Sequence, residues 1–399
     1  MNIKDKIDYL VGNKKELKFI TTQPFDDLTC KFISDFSIEL NKVKSINLYS
    51  DIKALSFWCR NNNIQNLKKI FYLNNNELRL GVGLVFHITP SNMPTNFAYS
   101  LLFGLLSGNS NIIKVPSKKF PQIDIICECI KKTLRKKKFL KMKNKIKIVR
   151  YSNNDEYTKN ISLICDARLI WGGNNSINQI RNFKLKERSI DLAFSDRFSY
   201  CVLDGKKISG LNTFKMNRLI ENFYNDTFLM DQNACSSPHL IVWVNDKSHE
   251  GRNIFWKKLS NYTLKKYQPP EIASVDKFSM LCEDILSLDN IKSYKRFGNF
   301  IYTISLKSLN SKISSLRGKW GYFYEYDANN LNDIFKFIDK DCQTLSYFGI
   351  PKNILKELIL KNNTNGVDRI VPVGQTLNIN LTWDGYDISR MLSRAIEIK

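Results

Sequence analysis

Between about residue 80 and residue 172 the apolar positions fall into two alternating spacings. Leu80 to Ile88 is a short, nearly continuous apolar run, and Thr95 to Leu106 has helical spacing. Ile112 to Val115 reads as a second strand, Gln122 to Leu134 as a second helix, and Ile146 to Val149 and Leu163 to Cys165 as further strands. Strands without strict alternation, separated by helices, predict a parallel sheet covered on both faces. Nucleotide cofactors bind at the carboxyl ends of such strands. The pair Gly172-Gly173 stands before a helix expected near Asn174, where backbone amides can meet a pyrophosphate. A tight turn explains the pair equally well, and the chain has no G-x-G-x-x-G run.

Upstream, Phe32 to Leu48 and Leu55 to Tyr72 carry amphipathic helical patterns and no recognisable chemistry, which suggests a covering layer over residues 1–75. Around 205 to 212 the composition turns polar, with Gly205-Lys206-Lys207 and Gly210, and this marks an expected boundary. A second αβ pattern follows from Leu211 to about Gly349, and there is no internal repeat or low-complexity segment.

Length and composition narrow the class. With 399 residues, 43% hydrophobic and 12% aromatic, the chain can bury two cores, which excludes a disordered or fibrous protein. Met1 to Lys18 is charged without a long apolar block, so the segment is not a secretory signal and the expected location is the cytoplasm. The longest apolar run, Phe97 to Leu106, is about half of the ~20 residues that cross a bilayer, so no membrane span is expected. Nine cysteines without a Cys-x-x-Cys pair, and three histidines, argue against a metal site. The formal charge of +23 peaks in the run from Lys131 to Lys147. Because the excess is spread along the chain and aromatics are not interleaved with that run, it reads as a solvated helix end and loop in preference to a nucleic-acid surface.

One cysteine stands apart by context. Cys235 lies in Asp231-Gln232-Asn233-Ala234-Cys235-Ser236-Ser237-Pro238, where small and polar neighbours precede the apolar segment Leu240 to Val244. That is how a thiol nucleophile is presented. His239, four residues beyond it, is a candidate for proton transfer, against the alternative of a hydrogen-bonded structural imidazole.

Four blocks in order over the chain carry a resemblance. They are His87 to Pro94 (HITPSNMP), Leu105 to Ser117 (LLSGNSNIIKVPS), Gln232 to Pro238 (QNACSSP), and Val367 to Gln375 (VDRIVPVGQ) with Trp383-Asp384-Gly385. Together they resemble the aldehyde dehydrogenase superfamily, and within it the LuxC-type acyl-CoA reductase family. The resemblance implies an α/β fold with two three-layer αβα domains, cofactor-binding and catalytic, plus a small bridging or oligomerisation element. The expected layout is covering helices over 1–75, an NADP-binding domain over 76–208, a catalytic domain over 209–370 and a return segment over 371–399. Within that last segment Leu377 to Leu381 is the candidate inter-subunit strand, and the Trp383-Asp384-Gly385 turn is expected to be structural.

Carried over by position, Cys235 is the acyl-accepting nucleophile, and Asn92 donates its amide, alongside the Cys235 backbone N–H, to the oxyanion. Each such donor is worth roughly 3 kcal/mol in the transition state. A simple turn residue is the competing reading of Asn92. Lys114 matches the superfamily lysine beside the adenosine ribose. Where many NAD-preferring members carry a glutamate three positions later, this chain has Ser117, which admits a 2′-phosphate and hence NADPH. Pro90, Gly172 and Gly173 complete the expected cofactor set. Arg369 is open between a phosphate contact and an inter-domain salt bridge.

One departure bears on direction. Aldehyde-oxidising relatives carry Glu-Leu-Gly-Gly-Lys ahead of the nucleophile, with the glutamate activating water; the nearest run here is Asp191-Leu192-Ala193-Phe194-Ser195, whose carboxylate is shorter. The expected function is therefore NADPH-dependent reduction of a fatty acyl thioester to the aldehyde. The resemblance implies fatty acyl-CoA or an acylated partner protein from an acyl-protein synthetase as donor, and a homo-oligomer. The competing readings are an oxidative NAD(P)-dependent aldehyde dehydrogenase and a non-catalytic basic protein that binds nucleic acid.

Overall fold

The structure is a computed structural model that describes residues 7–15, 19–73, 77–152, 155–310 and 312–399. It divides into two compact units, Met1–Asp196 with Asn380–Lys399, and Arg197–Ile379.

The first unit contains β1 (Asp8–Val11), β2 (Leu78–Gly81), β3 (Leu84–Ile88), β4 (Ser110–Val115), β5 (Ile146–Arg150), β6 (Ala167–Trp171) and β7 (Ile190–Phe194). Its helices are α1 (Asp27–Asn41), α2 (Ser50–Trp58), α3 (Asn61–Tyr72), α4 (Asn96–Leu106), α5 (Pro121–Arg135), α6 (Asp155–Ile164) and α7 (Asn174–Arg181). Six strands form one sheet in the order β1-β5-β4-β3-β6-β7, parallel except for β1 at its edge. The chain runs from β3 outward through β4 to β5, then returns to the other side of β3 for β6 and β7. That reversal creates a switch point between the carboxyl ends of β3 and β6.

Two local expectations change. The apolar run Leu80 to Ile88 is two strands, broken where Gly83 adopts φ +139° and where an added Cβ would come 2.1 Å from Asp166 Oδ2. Leu163 to Cys165 is not a strand: Leu163 and Ile164 end α6 with exposures of 40% and 48%, and the strand begins at Ala167. The helical spacing of buried Thr158, Ile161 and Ser162 outweighs the apolar triplet.

The covering layer consists of α1, α2 and α3, with Asp26 capping α1 by accepting from Thr29 N at 3.1 Å. Its acids engage the basic run. Lys136 pairs with Asp35 and Glu39 at 3.1 and 2.9 Å, and Lys138 pairs with Asp35 at 2.8 Å. Lys145 and Lys147 donate to Thr22 Oγ1 and to the Lys15 carbonyl. These lysines are spent on tying segments of the unit together.

The second unit contains β8 (Phe198–Asp204), β9 (Pro238–Val244), β10 (Ile291–Phe297), β11 (Ile301–Leu306), β12 (Tyr322–Asp327), β13 (Cys342–Phe348) and β14 (Arg369–Pro372). Their order is β10-β11-β12-β9-β8-β13-β14, parallel except for β10. Among its helices are α8 (Gly205–Ser209), α9 (Thr213–Thr227), α10 (Glu250–Lys266) and α11 (Ile272–Ser287). Apolar clusters lie on both faces of this sheet, one around Tyr200, Leu240 and Tyr324, the other around Phe223, Trp243 and Trp256. The boundary falls one strand earlier than the polar stretch suggests. All residues of β8 are buried between β9 and β13, and Gly205 to Ser209 is simply the short helix that follows.

The return segment rejoins the first unit. Leu377 to Leu381 pairs with no strand of its own chain. Instead β15 (Thr382–Trp383) and β16 (Tyr386–Asp387) form a hairpin whose two loop residues, Asp384 and Gly385, have φ of 50° and 76°. Asp-Gly with both residues at positive φ is the chemistry of a tight two-residue turn. The last strand, β17 (Ser393–Ile396), pairs antiparallel with β2. Asn109 locks this closure: its Nδ2 donates to the Leu392 carbonyl at 2.9 Å and its Oδ1 accepts from Gly83 N at 3.0 Å. Among the described residues no helix is long and apolar enough to cross a membrane.

Candidate active site

In the first unit the residues expected to hold a cofactor come together at the carboxyl ends of the parallel strands. Thr89 and Pro90 leave β3, Lys114 is next to last in β4 with Ser117 exposed just beyond the strand, and Gly172-Gly173 leave β6 into α7. Lys114 is half-buried, with its ammonium 5.0 Å from the Tyr151 ring centroid; burial lowers its pKa, opposed by Asp155. Gly173 caps α7 without any side-chain hydrogen bond, so the first-turn amides are presented outward. A Cβ built on Gly173 meets nothing within 4 Å, so this glycine opens space over the helix start. Those features fit a pyrophosphate-bearing cofactor. Asn92 lies in the exposed bend between Pro90 and Pro94, and its amide makes no hydrogen bond among the described residues.

Trp171, at the end of β6, is a further residue at this crevice. Its indole donates to Ser100 Oγ at 2.9 Å, and its ring stacks on Phe194 at 3.7 Å. Ser100 in turn bonds His87 Nδ1 at 2.7 Å, and the fully buried His87 is pushed down to about 4.

In the second unit Cys235 sits at a corner of the turn Ala234–Ser237, closed by Ser237 N donating to the Ala234 carbonyl at 2.9 Å. Its thiol is half-buried, whereas seven other cysteines are buried and Cys282 lies exposed on α11. Burial raises all seven buried thiols. The loop is stiff. Asp231 and Gln232 both adopt left-handed φ, 52° and 61°. The Gln232 side chain, 1% exposed, donates to the carbonyls of Pro238 and Tyr322 and accepts from Gly321 N, all at 3.0 Å. The Cys235 carbonyl accepts from Ser199 Oγ at 2.6 Å, which ties the nucleophile to β8.

His239 does not line up with the role of proton donor. It is buried at the start of β9, its ring lies over Phe198, and its Nδ1 accepts from Gly318 N at 3.2 Å. Desolvation, with Arg317 nearby, pushes it down to about 3, so the geometry favours the structural alternative, a neutral imidazole holding a loop. Asp191 is likewise committed. Arg168, 1% exposed, grips it bidentately at 3.1 and 2.8 Å, and Arg181 approaches at 3.5 Å. Arg369 donates to the carbonyls of Thr376, Gln375 and Asn378, in the turn that follows its own strand.

Asp226 escaped sequence reasoning. It lies on the buried side of α9, among Leu219, Ile220, Phe223 and Thr227, and burial raises it to about 6 against the N–H donors it accepts. A lone acid on the apolar stripe of an amphipathic helix was the signal available. Ser199 and Gln232 offered no such signal, because their partners lie far along the chain.

The fold matches solved structures of aldehyde dehydrogenases and of proline utilization A. Methylmalonate-semialdehyde dehydrogenase from Oceanimonas doudoroffii superposes with a TM-score of 0.66 at 12% identity, over 94% of this chain and 86% of that one. Salicylaldehyde dehydrogenase from Pseudomonas putida G7 gives 0.62 at 11% identity, over 94% and 85%. A variant of proline utilization A from Bradyrhizobium japonicum gives 0.64 at 10% identity over 94% of this chain, which spans only 43% of the length of that protein. At such identities the likeness establishes the fold alone, that of the aldehyde dehydrogenases. No curated protein sequence matches the chain. The family model of the acyl-CoA reductases, LuxC, matches residues 67–394, from α3 to β17, and takes in all four signature blocks. The chain belongs to the acyl-CoA reductase (LuxC) family.

Proposed function

We propose that this protein reduces a fatty acyl thioester to the aldehyde with NADPH, through an acyl group held on Cys235. The observation that carries the proposal is a half-buried thiol, fixed on a stiff loop, in a chain whose family match runs over residues 67–394. The Cys235 thiolate attacks the carbonyl carbon of an acyl thioester; the donor thiolate leaves, and the acyl group is now bonded to the cysteine sulfur. When bound, a reduced nicotinamide would supply hydride chemistry here, and addition of hydride to this carbonyl carbon would make it tetrahedral. Collapse of the resulting thiohemiacetal breaks its C–S bond, releases the aldehyde and returns the thiolate. In both additions negative charge develops on oxygen, and the Asn92 amide and Cys235 N–H are the donors assigned to it.

Lys114 is assigned to the 2′-phosphate, and Ser117 supplies no carboxylate to repel it. Pro90, Gly172 and Gly173 are assigned to the dinucleotide backbone at the switch point. The donor is fatty acyl-CoA or an acylated partner protein, and the working form is a homo-oligomer. The oxidative reading needs a free base to activate water, and Asp191, held by Arg168, is a poor one.

The test is oxidation of NADPH, and separately NADH, over acyl-CoAs of increasing chain length, with wild type and Cys235→Ala side by side. Turnover in the wild type, lost in the variant and faster with NADPH, is expected. Absence of turnover in both would remove acyl-CoA as donor, and equal turnover in both would remove Cys235 as nucleophile.

A further inference from the structure

We propose that Asp226 is a positioning residue for Cys235: from the end of α9 it fastens the thiol's loop and the turn Gly374–Thr376 to one point. The inference rests on the reading of Cys235 as the acyl-accepting nucleophile. Three contacts converge there. The Asp226 carboxylate accepts from Gly374 N at 2.6 Å through Oδ2 and from Thr376 N at 3.0 Å through Oδ1. The Asp226 backbone carbonyl accepts from Ser237 Oγ at 2.8 Å, and Ser237 closes the turn on which Cys235 sits. Asp226 is 1% exposed and Ser237 is fully buried, so water does not compete for these bonds.

The carboxyl-terminal turn is shaped to fit this point. Gly374 adopts φ +98°, and a Cβ there would lie 2.6 Å from the Asn222 side chain, one turn earlier on α9. Arg369 holds the far side of the same turn through the carbonyls of Gln375, Thr376 and Asn378. The Val-Gly-Gln end of the fourth sequence block, with the Thr376 that follows it, therefore has a physical role that spacing alone did not reveal. It closes over the helix that also fixes the nucleophile loop.

Asp226→Asn tests this, because an amide has one acceptor oxygen for two N–H donors and sets its own NH₂ against the other. Both proteins carry Cys282→Ser, which removes the exposed thiol, and alkylation of Cys235 by iodoacetamide is followed by mass spectrometry well below the unfolding temperature. We expect the Cys235 alkylation rate to change several-fold, and kcat for acyl-CoA reduction to fall by about ten- to a hundredfold at nearly constant KM. An unchanged alkylation rate overturns the proposal whatever the turnover. If Asp226→Asn does not fold, Ser237→Ala decides by the same criterion, since it removes only the hydroxyl bond. Should wild type turn over no thioester, the reductase reading fails while the alkylation comparison still decides this one.

Discussion

Replacing Asn92 by Ala deletes an exposed amide that supports nothing in the fold. The expected result is a loss of about 10²- to 10³-fold in kcat, with an unchanged unfolding temperature, in the NADPH oxidation assay. His239 predicts the opposite pattern. Substitution by Ala leaves Gly318 N without its buried acceptor and should cost about 1–3 kcal/mol in urea unfolding, without moving any limb of the pH–rate profile. Acid response follows from the same imidazole and from His87. Both have folded values, about 3 and about 4, below the ordinary value of 6.5, so the unfolded chain binds more protons in between. Their contribution to stability is complete above pH 6.5 and is lost as pH falls toward 4 and 3. Asp226, raised from 3.8 to about 6, acts with the opposite sign between those values. Urea midpoints from pH 7.5 down to 4.5 should fall, and less so in His87→Gln. That Cys235 is not buried like most of the other cysteines was legible in its small and polar neighbours. The fate of His239 was not, because it is settled by Gly318 on a distant loop.

At the scale of elements, the alternation of short apolar runs with helical segments was enough to anticipate the parallel sheet and its carboxyl-end crevice. Edges and junctions were less legible. The antiparallel strands β1 and β10, the break at Gly83 and the placement of β8 depend on which strand is available to pair, and no local pattern encodes that. Packing between elements supplies its own prediction. Gly104 lets α4 approach β4 so closely that a Cβ would lie 1.8 Å from Asn111 Oδ1 and 3.0 Å from His87 Nε2. Gly104→Ala should therefore destabilise by about 1–3 kcal/mol or more despite the better helix propensity of alanine, as read from the urea midpoint. An unchanged midpoint would mean that α4 moves freely on its sheet.

For the molecule as a whole, the charge of +23 acts at long range even where individual lysines are paired. Coenzyme A thioesters carry several phosphate charges, so encounter should be steered. We expect kcat/KM for acyl-CoA to fall steeply as ionic strength rises from 0.05 to 0.3 M (about a two-fold drop in screening length), while kcat holds. A flat kcat/KM would sink the steering idea. Retention of DNA that weakens over this salt range yet survives loss of the Cys235 sulfur would instead revive the nucleic-acid reading. Finally, β17 completes the sheet strand β2 from the far end of the chain, after all of Arg197–Ile379 has been made. At ribosomal rates of about 5–20 residues per second, that interval lasts roughly 10 to 40 s. Throughout it the nascent first unit carries a bare strand edge at Leu78–Gly81 and an Asn109 amide still waiting for Leu392. The order in which this polypeptide meets itself thus leaves that edge open to off-pathway pairing during synthesis.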